Sequence, residues 1–306
     1  MRVVIAGGSG FLGRALIERL TRDGQQVVVL SRDAGTSLKT DRARVAPWTP
    51  NGDTGPWASA LDGADVVINL AGAGIADRRW SSARKQLLYE SRMQSTRSLV
   101  AAVRAAGTKP GVFIQGSAVG IYGSYDNGGQ FDERSSPGSD CLAGLCVAWE
   151  AEAQPVSAMG CRLVFLRTGI VLSRTGGALA KMLLPFRLFV GGRVDTGRQY
   201  MSWIDLDDWI GMVMWAIGNP AVSGPVNATA PYPVTNAEFA RAIGHALHRP
   251  SWAPVPGFVL KLVFGELATD CLIRGQRVVS RRGAELGYQF RYERIDEAMA
   301  AAVRRG

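Results

Sequence analysis

Histidine is nearly absent from this sequence, which contains only His245 and His248 among 306 residues. A catalytic triad with a histidine base, or a metal site built from histidines, is therefore hard to assemble. The spacing of the two histidines fits one face of a helix, but no acidic or cysteine ligand is clustered beside them. We predict a structural or surface role for both, and no metal site.

Cysteine and long apolar runs are also scarce. The four cysteines form no CxxC pair, and the sequence opens on a strand-like run instead of a basic segment followed by an apolar signal region. These features predict a reduced, cytoplasmic protein. The apolar runs fall short of the roughly 20 residues that cross a bilayer, so no membrane partner is expected.

Low-complexity tracts, internal repeats and long charge runs are absent as well. With 47% apolar and 20% charged residues, the composition excludes a disordered chain, collagen and a coiled coil. The net charge of +9 is compatible with nucleic acid, a membrane surface or an anionic small molecule as partner. The arginine pairs at 281–282 and 304–305 have no interleaved aromatic residues, so a nucleic-acid partner is not expected.

Glycine, in contrast, is abundant, with 37 residues, and several of them lie near the start of the chain. An apolar run at residues 3–6 leads into the sequence GGSGFLG at residues 7–13, after which apolar residues recur at helical spacing. This order predicts a strand, a glycine turn and a helix. A second apolar run at residues 27–30 completes a βαβ unit.

Each glycine of the turn has a specific use in a dinucleotide site. Gly7 permits the tight turn, Gly10 lets a pyrophosphate approach the backbone, and Gly13 lets the helix pack closely on the strand. Phe11 and Leu12 begin the helix, whose N-terminus offers amides to phosphate groups. The motif predicts nucleotide binding, with a purely structural turn as the alternative.

Ser31 and Arg32 follow the second strand, where enzymes that use NAD usually carry an acidic residue for the ribose 2′-hydroxyl. A hydroxyl and a guanidinium suit a 2′-phosphate instead. We therefore predict NADP as the cofactor, with NAD less favoured. A solvated surface arginine is the alternative interpretation of Arg32, because Asp33 follows it directly.

Further strands and helices alternate along the chain. Residues 65–69 form an apolar strand that ends in Leu70, Ala71 and Gly72, and these small residues would pass close to a flat ligand. Residues 91–106 have helical character, and a strand at residues 111–115 runs into Gly116. The alternation predicts a doubly wound parallel sheet, whose ligands lie beyond the carboxyl ends of its strands.

Four stretches carry a resemblance to a known family: the glycine turn, residues 69–72, residues 117–123 and residues 166–172. In these stretches the sequence resembles the extended short-chain dehydrogenase/reductases, the NAD(P)-dependent epimerase/dehydratase group. Residues 173–182, 191–192, 199–205 and 224–239 are similar to the atypical branch labelled "epimerase family protein". In that branch a short C-terminal domain of unknown function follows, which residues 249–290 match in part.

The resemblance implies a catalytic pattern from which this sequence departs. The family places a Ser or Thr four residues before a Tyr-Gly pair and a Tyr-x-x-x-Lys on the next helix, where the cation stabilises a phenolate. Here Ala118 stands four residues before Tyr122. If Glu150 is taken as the acidic residue that often follows the motif, the expected Tyr and Lys positions are Leu142 and Cys146.

Substitute catalytic groups are few. Ser117 replaces the missing hydroxyl if the turn shifts by one residue; otherwise it hydrogen-bonds within the turn. Tyr122 lies just past a strand end, and its alternatives are a catalytic role or a packing role. Cys141 and Cys146 are either reactive thiols or small apolar residues, and no evident cation would activate them.

A second group of predicted contacts follows a later strand. The resemblance implies that Arg167, Thr168 and Gly169 approach the nicotinamide, with a plain strand-end turn as the alternative. It also places Arg193, Gln199 and Trp203 on the substrate side. There Arg193 and Arg198 would hold an anionic group and Trp203 would stack on a ring, although a glycine-rich surface loop explains the segment equally well.

The expected fold is α/β, a Rossmann-type doubly wound parallel sheet with a smaller C-terminal α/β substrate region. Residues 1–165 would bind the dinucleotide with strands added from about 166–230, residues 166–306 would form mainly the substrate region, and residues 250–300 the small C-terminal domain.

The leading hypothesis is an NADP-dependent oxidoreductase or epimerase-like enzyme for a small, anionic or nucleotide-linked, hydroxyl or carbonyl substrate. The alternative is a catalytically degenerate protein that senses NADP(H) or binds a partner. Outward-facing helices would allow a homodimer.

Overall fold

A parallel sheet of seven strands forms the centre of the computed structural model, which describes residues 1–33, 35–38, 40–124, 129–257 and 273–305. Cys271, which is one of the four cysteines, lies outside the described residues, as do Gly265, Glu266 and Leu272 of the stretch 249–290 that resembles the C-terminal domain. The strand order is β11-β7-β5-β4-β1-β2-β3, and every neighbouring pair is parallel. The strands of this sheet are β1 (Arg2–Ala6), β2 (Gln26–Ser31), β3 (Ala43–Pro47), β4 (Val66–Asn69), β5 (Val112–Ala118), β7 (Arg162–Thr168) and β11 (Gly224–Ala228).

Six further strands form short two-stranded ladders outside this sheet. They are β6 (Gln130–Phe131) with β13 (Arg277–Val278), β8 (Ile170–Leu172) with β10 (Trp203–Asp205), and β9 (Tyr200–Met201) with β12 (Val234–Thr235). The helices are α1 (Phe11–Arg22), α2 (Ser82–Ala105), α3 (Cys141–Ala153), α4 (Pro155–Ala158), α5 (Gly177–Arg187), α6 (Leu206–Gly218), α7 (Asn236–Leu247), α8 (Arg281–Glu285) and α9 (Ile295–Arg304), with 3-10 helices at Pro56–Ala60 and Val119–Tyr122.

Both faces of the central sheet are buried, because successive residues of a strand point to opposite sides. Val3 and Ile5 of β1 face a hydrophobic cluster that contains residues of α1 and α6. Val4 and Ala6 face a second cluster that contains residues of α2 and the first 3-10 helix. This layering confirms the predicted Rossmann-type doubly wound sheet.

A third hydrophobic cluster belongs to the later part of the chain. It joins α5, α7 and α9 to β8 and β10, with Trp203 and Phe239 among its largest buried side chains. A capping box begins α7, as the sequence Thr235-x-x-Glu238 favours: Thr235 accepts from the Glu238 amide at 3.3 Å, and the Glu238 carboxylate accepts from the Thr235 amide at 2.8 Å. A well-formed α7 therefore anchors this cluster.

One predicted helix begins at a different residue. Helix α2 starts at Ser82 rather than at residue 91, and the Ser81 side chain caps it by accepting a hydrogen bond from the Arg84 amide at 3.2 Å. The first turns of α2 are largely exposed and polar. They carry no apolar periodicity, so the pattern of the sequence predicted only the buried part of the helix.

Candidate functional site

Most of the predicted cofactor residues lie at one edge of the sheet. Residues 7–13 follow β1, residues 70–72 follow β4, Gly116 lies near the end of β5, and residues 168–169 lie at the end of β7. These four strands are neighbours in the order β7-β5-β4-β1. The sheet therefore brings the segments together at its carboxyl edge, where open α/β sheets bind their ligands.

The glycine turn has the conformation and the close contacts that its sequence predicts. Gly7 has φ +82°, and a Cβ there would lie 2.6 Å from the carbonyl carbon of Leu70. A Cβ on Gly13 would lie 2.5 Å from the Gly7 oxygen. Both positions exclude a side chain, because a Cβ at either distance would overlap backbone atoms.

Gly10 differs from these two glycines because the space above it is open. A Cβ there would meet only the Gly7 oxygen, at 3.2 Å, among the described atoms. Gly10 is also the N-cap of α1, and no side chain in the described part of the chain caps this helix or adds an acidic residue to its first turn. The free amides and the helix dipole together form a cradle for an anion.

Phe11 and Leu12, the first two residues of α1, are half-buried. The Phe11 ring fills the space beside Gly176, where a Cβ would lie 2.4 Å from ring atom Cδ2. Leu12 packs against the cluster that contains α1 and α6. Both side chains therefore point into protein, and contact with a phosphate would come from their backbone amides.

The end of β2 presents one fixed hydroxyl and one free cation. Ser31 is buried, and its Oγ lies 2.8 Å from the Thr36 Oγ1. Arg32 is exposed and lines a cavity of about 580 Å³ together with Arg44 and Trp48. Within the described ranges neither arginine forms an ion pair, so both guanidinium groups are available to an anion.

Ser117 and Arg167 meet at a buried carboxylate that the sequence analysis did not single out as a site residue. The Arg167 guanidinium donates two hydrogen bonds to Glu150, from Nε to Oε1 and from Nη2 to Oε2, each at 2.8 Å. The Ser117 hydroxyl donates to the same Oε1 at 2.7 Å. Burial lowers the pKa of Arg167, but the hydrogen bonds and charge of Glu150 outweigh it and raise the pKa, so the guanidinium stays charged.

Tyr122 extends this network to the edge strand. Its hydroxyl accepts from Arg167 Nη1 at 2.9 Å and donates to Asn227 Oδ1 at 2.8 Å. Burial raises the pKa of Tyr122 to about 12, although the charge of Arg167 acts in the opposite direction. The hydroxyl is fully buried and stays protonated at neutral pH. We refer to Ser117, Tyr122, Glu150, Arg167 and Asn227 as the strand-end network.

The two positions at which the family carries its Tyr and Lys are apolar and buried on α3. Leu142 packs with Trp80, Leu88 and Leu145, and Cys146 packs with Tyr122 and other residues of a separate cluster. Burial raises the pKa of Cys146 to about 12, so its thiol stays protonated. Cys141 begins the same helix and is exposed.

Thr168, Gly169 and Gly116 lie in the turns beside the network. Thr168 Oγ1 accepts a hydrogen bond from Trp209 Nε1 at 3.1 Å, and the Gly169 amide donates to the Ala228 carbonyl at 3.1 Å. A Cβ on Gly116 would lie 2.9 Å from the Asn69 oxygen. A Cβ on Gly169 would lie 2.7 Å from the Ser202 oxygen, so close backbone packing leaves no room for a side chain at either glycine.

The three predicted substrate residues do not share one surface. Arg193 is exposed, Gln199 is buried and donates to the Val194 carbonyl at 3.1 Å, and Trp203 is fully buried in the cluster of α5, α7 and α9. The Trp203 Nε1 donates to the Tyr232 carbonyl at 3.1 Å. In this conformation the surrounding core encloses the indole.

The described part of the chain contains no cluster of three or more His, Cys, Asp or Glu residues that would hold a metal ion. His245 is exposed, and His248 adopts φ +54° as the C-cap of α7. Among the described helices, none is both long and apolar enough to span a membrane.

Besides Glu150, sequence reasoning did not single out three polar residues that the structure buries near the site: Arg92, Glu133 and Asn227. Glu133 accepts the Asn227 amide at 2.9 Å and thereby supports the strand-end network. Arg92 lies on the apolar face of α2. A charged residue among apolar helix positions is a signal that could have identified it.

Two family models match the chain. One, described as "NAD dependent epimerase/dehydratase family", matches residues 3–229, and the other, "Domain of unknown function (DUF1731)", matches residues 255–302. Epimerase family protein Mb2239 of Mycobacterium bovis is 42% identical over 304 residues, which is 99% of this chain and 98% of that protein.

Solved structures agree with these matches. The crystal structure of human epimerase family protein SDR39U1 (isoform 2) with NADPH superimposes with a TM-score of 0.88 at 32% identity, over 100% of both chains. A nucleoside-diphosphate sugar epimerase from Corynebacterium glutamicum gives a TM-score of 0.78 at 31% identity, covering 99% of this chain and 58% of that one. The NADPH in the human protein agrees with the cofactor predicted from Ser31 and Arg32.

Proposed function

Since the chain belongs to the NAD dependent epimerase/dehydratase family, we propose that it binds NADP(H) across the carboxyl edge of its sheet. We propose further that it is an NADP-dependent oxidoreductase or epimerase-like enzyme acting on a small hydroxyl or carbonyl substrate, nucleotide-linked substrates included. When bound, the nicotinamide would supply the hydride, and the protein would supply position and electrostatics.

One observation carries the cofactor proposal: the N-terminus of α1 is uncapped and opens on Gly10 at the carboxyl edge of the sheet. Amides of the first turn of α1 would hold the pyrophosphate there. Residues 70–72 would line the cofactor crevice next to the glycine turn. The reason is that Gly7 lies against the backbone of Leu70, where a Cβ would overlap it.

Arg32 would hold the 2′-phosphate, and Ser31 would bind beside it. The exposed guanidinium has no described carboxylate partner, and a phosphate is the anion that it pairs with best. The NADPH in the crystal structure of the human relative supports this choice over NAD.

The strand-end network would position the reaction without taking part in proton transfer. Its hydrogen bonds join the ends of β5, β7 and β11 to α3, and thereby hold Thr168 and Gly169 at the edge where the nicotinamide is expected. The catalytic roles of Ser117 and Tyr122 remain predictions. Their burial and occupied hydroxyls favour the positioning role.

The substrate region remains a proposal as well. Arg193 is free to meet an anionic group of a substrate, because it is exposed. Gln199 and Trp203 would not touch the substrate. They would support the substrate side indirectly, by holding the backbone of residues 194–203. A movement that exposes the indole would be needed before Trp203 could stack on a ring.

A second candidate function is an NADP(H)-sensing or partner-binding protein without catalysis. The observation that favours it is the burial of Leu142 and Cys146, which leaves the family's acid/base positions without a titrating group at neutral pH. The intact glycine cradle is equally compatible with this role.

The experiment for cofactor binding compares Gly10→Ala with wild type in titrations with NADPH. The added methyl group would occupy the cradle, so we expect binding to weaken by about 10- to 100-fold, as for the loss of one hydrogen bond to a charged group. Gly218→Ala is the matched control: it lies at the far end of α6, and a Cβ there would meet no described atom within 4 Å. Equal NADPH affinity in all three proteins would contradict the proposed site.

A second experiment separates the enzyme from the sensor. NADPH deuterated at the nicotinamide is incubated with small carbonyl compounds, NADP⁺ is incubated with sugar nucleotides deuterated at their carbinol carbons, and cofactor and products are examined by mass spectrometry. Deuterium transferred between cofactor and substrate, or an epimerised sugar nucleotide, supports the enzyme. Tight NADPH binding without transfer to any compound of the panel favours the sensing protein.

A further inference from the structure

Arg92, in the middle of α2, is a buried cation for which the described residues provide no anionic partner. Its side chain is 7% exposed, and its Nη1 donates to two backbone carbonyls, Ala73 at 3.1 Å and Leu88 at 3.0 Å. Arg167 is buried to a similar degree, but Glu150 neutralises it through two hydrogen bonds. The chain therefore keeps one of these two buried charges uncompensated.

An uncompensated buried charge is unfavourable for folding. Removing an ion from water costs several kcal/mol even after relaxation, and buried charges in proteins are normally paired. Burial accordingly lowers the pKa of Arg92. The two carbonyl contacts use the hydrogens of Nη1, and they do not cancel the charge. The presence of an arginine at this buried position points to a use of its charge outside the folded chain itself.

The position of the guanidinium indicates what that use is. Its Cζ lies 4.9 Å from the centroid of the Trp149 ring on α3. It also lies next to Gly72, where a Cβ would approach the same Cζ to 3.0 Å. Gly72 is exposed and ends the segment that would line the cofactor crevice. The charge is therefore separated from the crevice by little more than one glycine.

Helix α3 connects this charge with the missing lysine. Cys146 precedes Trp149 by about one helical turn and lies on the same buried face. Cys146 is also the position at which the family pattern places its lysine. Arg92 on α2 thus places its charge near the position on α3 where the family has its lysine.

We propose that Arg92 replaces the charge of the missing lysine and makes the cofactor site favour NADPH over NADP⁺. The inference rests on the proposed NADP(H) binding. A cation near the nicotinamide repels the positively charged ring of NADP⁺ and leaves the neutral ring of NADPH unaffected. Arg92 acts across the residue 70–72 segment, and is therefore a positioning residue that contributes through its field.

The test is the ratio of the dissociation constants of NADP⁺ and NADPH, measured by calorimetry in one buffer for four proteins. Wild type is expected to bind NADPH more tightly. In Arg92→Met the ratio should fall by about 10-fold, the effect of unit charges roughly 10 Å apart at an effective dielectric constant of about 20. Arg92→Lys keeps the charge and should keep the ratio within about 3-fold of wild type.

Arg97→Met is the matched control, because Arg97 lies on the same helix but is exposed and paired with Glu152. Its ratio should equal that of wild type. A purely structural role of Arg92 would weaken both forms of the cofactor equally and leave the ratio unchanged in Arg92→Met. If circular dichroism shows that Arg92→Met does not fold, Arg92→Gln, which retains amide donors without charge, is judged by the same ratio.

The outcomes separate the two proposals. Wild type that binds neither NADPH nor NADP⁺ overturns the proposed function and this inference with it. Wild type that binds both, together with an unchanged ratio in the neutral variant, overturns the role of Arg92 and leaves the cofactor site intact. A lowered ratio that Arg92→Lys restores supports the role of the charge.

Discussion

Arg32 follows β2 directly and is exposed, so its charge can be changed without disturbing the core. In a Rossmann-type site a guanidinium at this position pairs with the 2′-phosphate of NADP, whereas a carboxylate accepts the 2′-hydroxyl of NAD. Coenzyme preference would thus depend on one exposed side chain.

We expect Arg32→Asp to invert this preference. The carboxylate would repel a 2′-phosphate, so NADPH affinity should fall by about 10- to 100-fold while NADH affinity is kept or improved. Fluorescence titrations with both nucleotides measure the change. Arg104→Asp, an equal charge change in the exposed last turn of α2, is the control. An unchanged ratio of the two affinities would refute the role of Arg32.

Tyr122 illustrates how burial determines what a phenol can do. The hydroxyl bonds both Arg167 and Asn227, and burial raises its pKa to about 12. In the unfolded chain the pKa would be about 10. Between these two values the folded protein holds a proton that the unfolded chain releases. The stability that this raised pKa contributes to the folded protein is therefore fully present below pH about 10 and is lost as the pH rises toward 12.

Tyr122→Phe should change stability in two ways. At pH 7 it leaves Arg167 and Asn227 each short of a hydrogen bond, which we expect to lower the free energy of unfolding by about 1–3 kcal/mol. From pH 9 to 11 the loss of stability should be shallower in the variant than in wild type, because one titrating group is gone. Urea unfolding across this range tests both effects.

The control for this prediction is Tyr89→Phe, since the Tyr89 ring is exposed on α2. It should unfold like wild type at every pH. NADPH affinity should be unchanged in Tyr122→Phe, and a large loss of binding would place the hydroxyl in the cofactor site instead.

Helix α6 attaches the end of the chain to the sheet through its first turn. Asp205 is its fully buried N-cap and accepts from the Asp207 amide at 2.9 Å. Arg305 forms ion pairs with both Asp205 and Asp207. Burial raises the pKa of Asp205, whereas the hydrogen bond and charge of Arg305 act against this rise. The last helix and α6 are thus coupled through one guanidinium.

Removing this cation in Arg305→Met should destabilise the protein. Breaking a buried pair costs about 3–5 kcal/mol, but Arg305 is partly exposed, so we expect a loss of about 1–3 kcal/mol. Arg304→Met removes an exposed neighbour and should cost less than about 0.5 kcal/mol. Guanidinium unfolding at neutral pH measures both, and equal effects of the two substitutions would contradict the coupling.

The central sheet crosses the boundary predicted near residue 165. Strand β7 runs to Thr168, β11 completes the sheet as its edge strand, and α6 covers one face with Trp209 and Met212. The first part of the chain therefore cannot bury both faces of its sheet by itself.

A fragment of residues 1–165 should consequently lack a cooperative unfolding transition in urea, because it ends inside β7 and loses α6. A fragment of residues 1–230 retains all seven strands and α6, and we expect it to unfold cooperatively with a smaller urea dependence than the full chain. A cooperative transition in the shorter fragment would show that residues 1–165 fold alone.

The sequence by itself determined the features that depend on neighbouring residues. The strand, glycine turn and helix at its start, the capping box of α7 and the parallel sheet all follow from turn chemistry and apolar periodicity, which are read along contiguous residues. The absence of Tyr and Lys from positions 142 and 146 also needs no structure, because it follows from residue identities alone.

Only the tertiary structure decided which side chains meet and which are buried. Tyr122 bonds Asn227 across 105 positions of sequence, and Ser117 bonds Glu150 across 33. Trp203 has the same sequence neighbours whether it faces a ligand or the core, and packing placed it in the core. The physical reason is that pairing and burial depend on how distant segments pack, which local patterns do not encode.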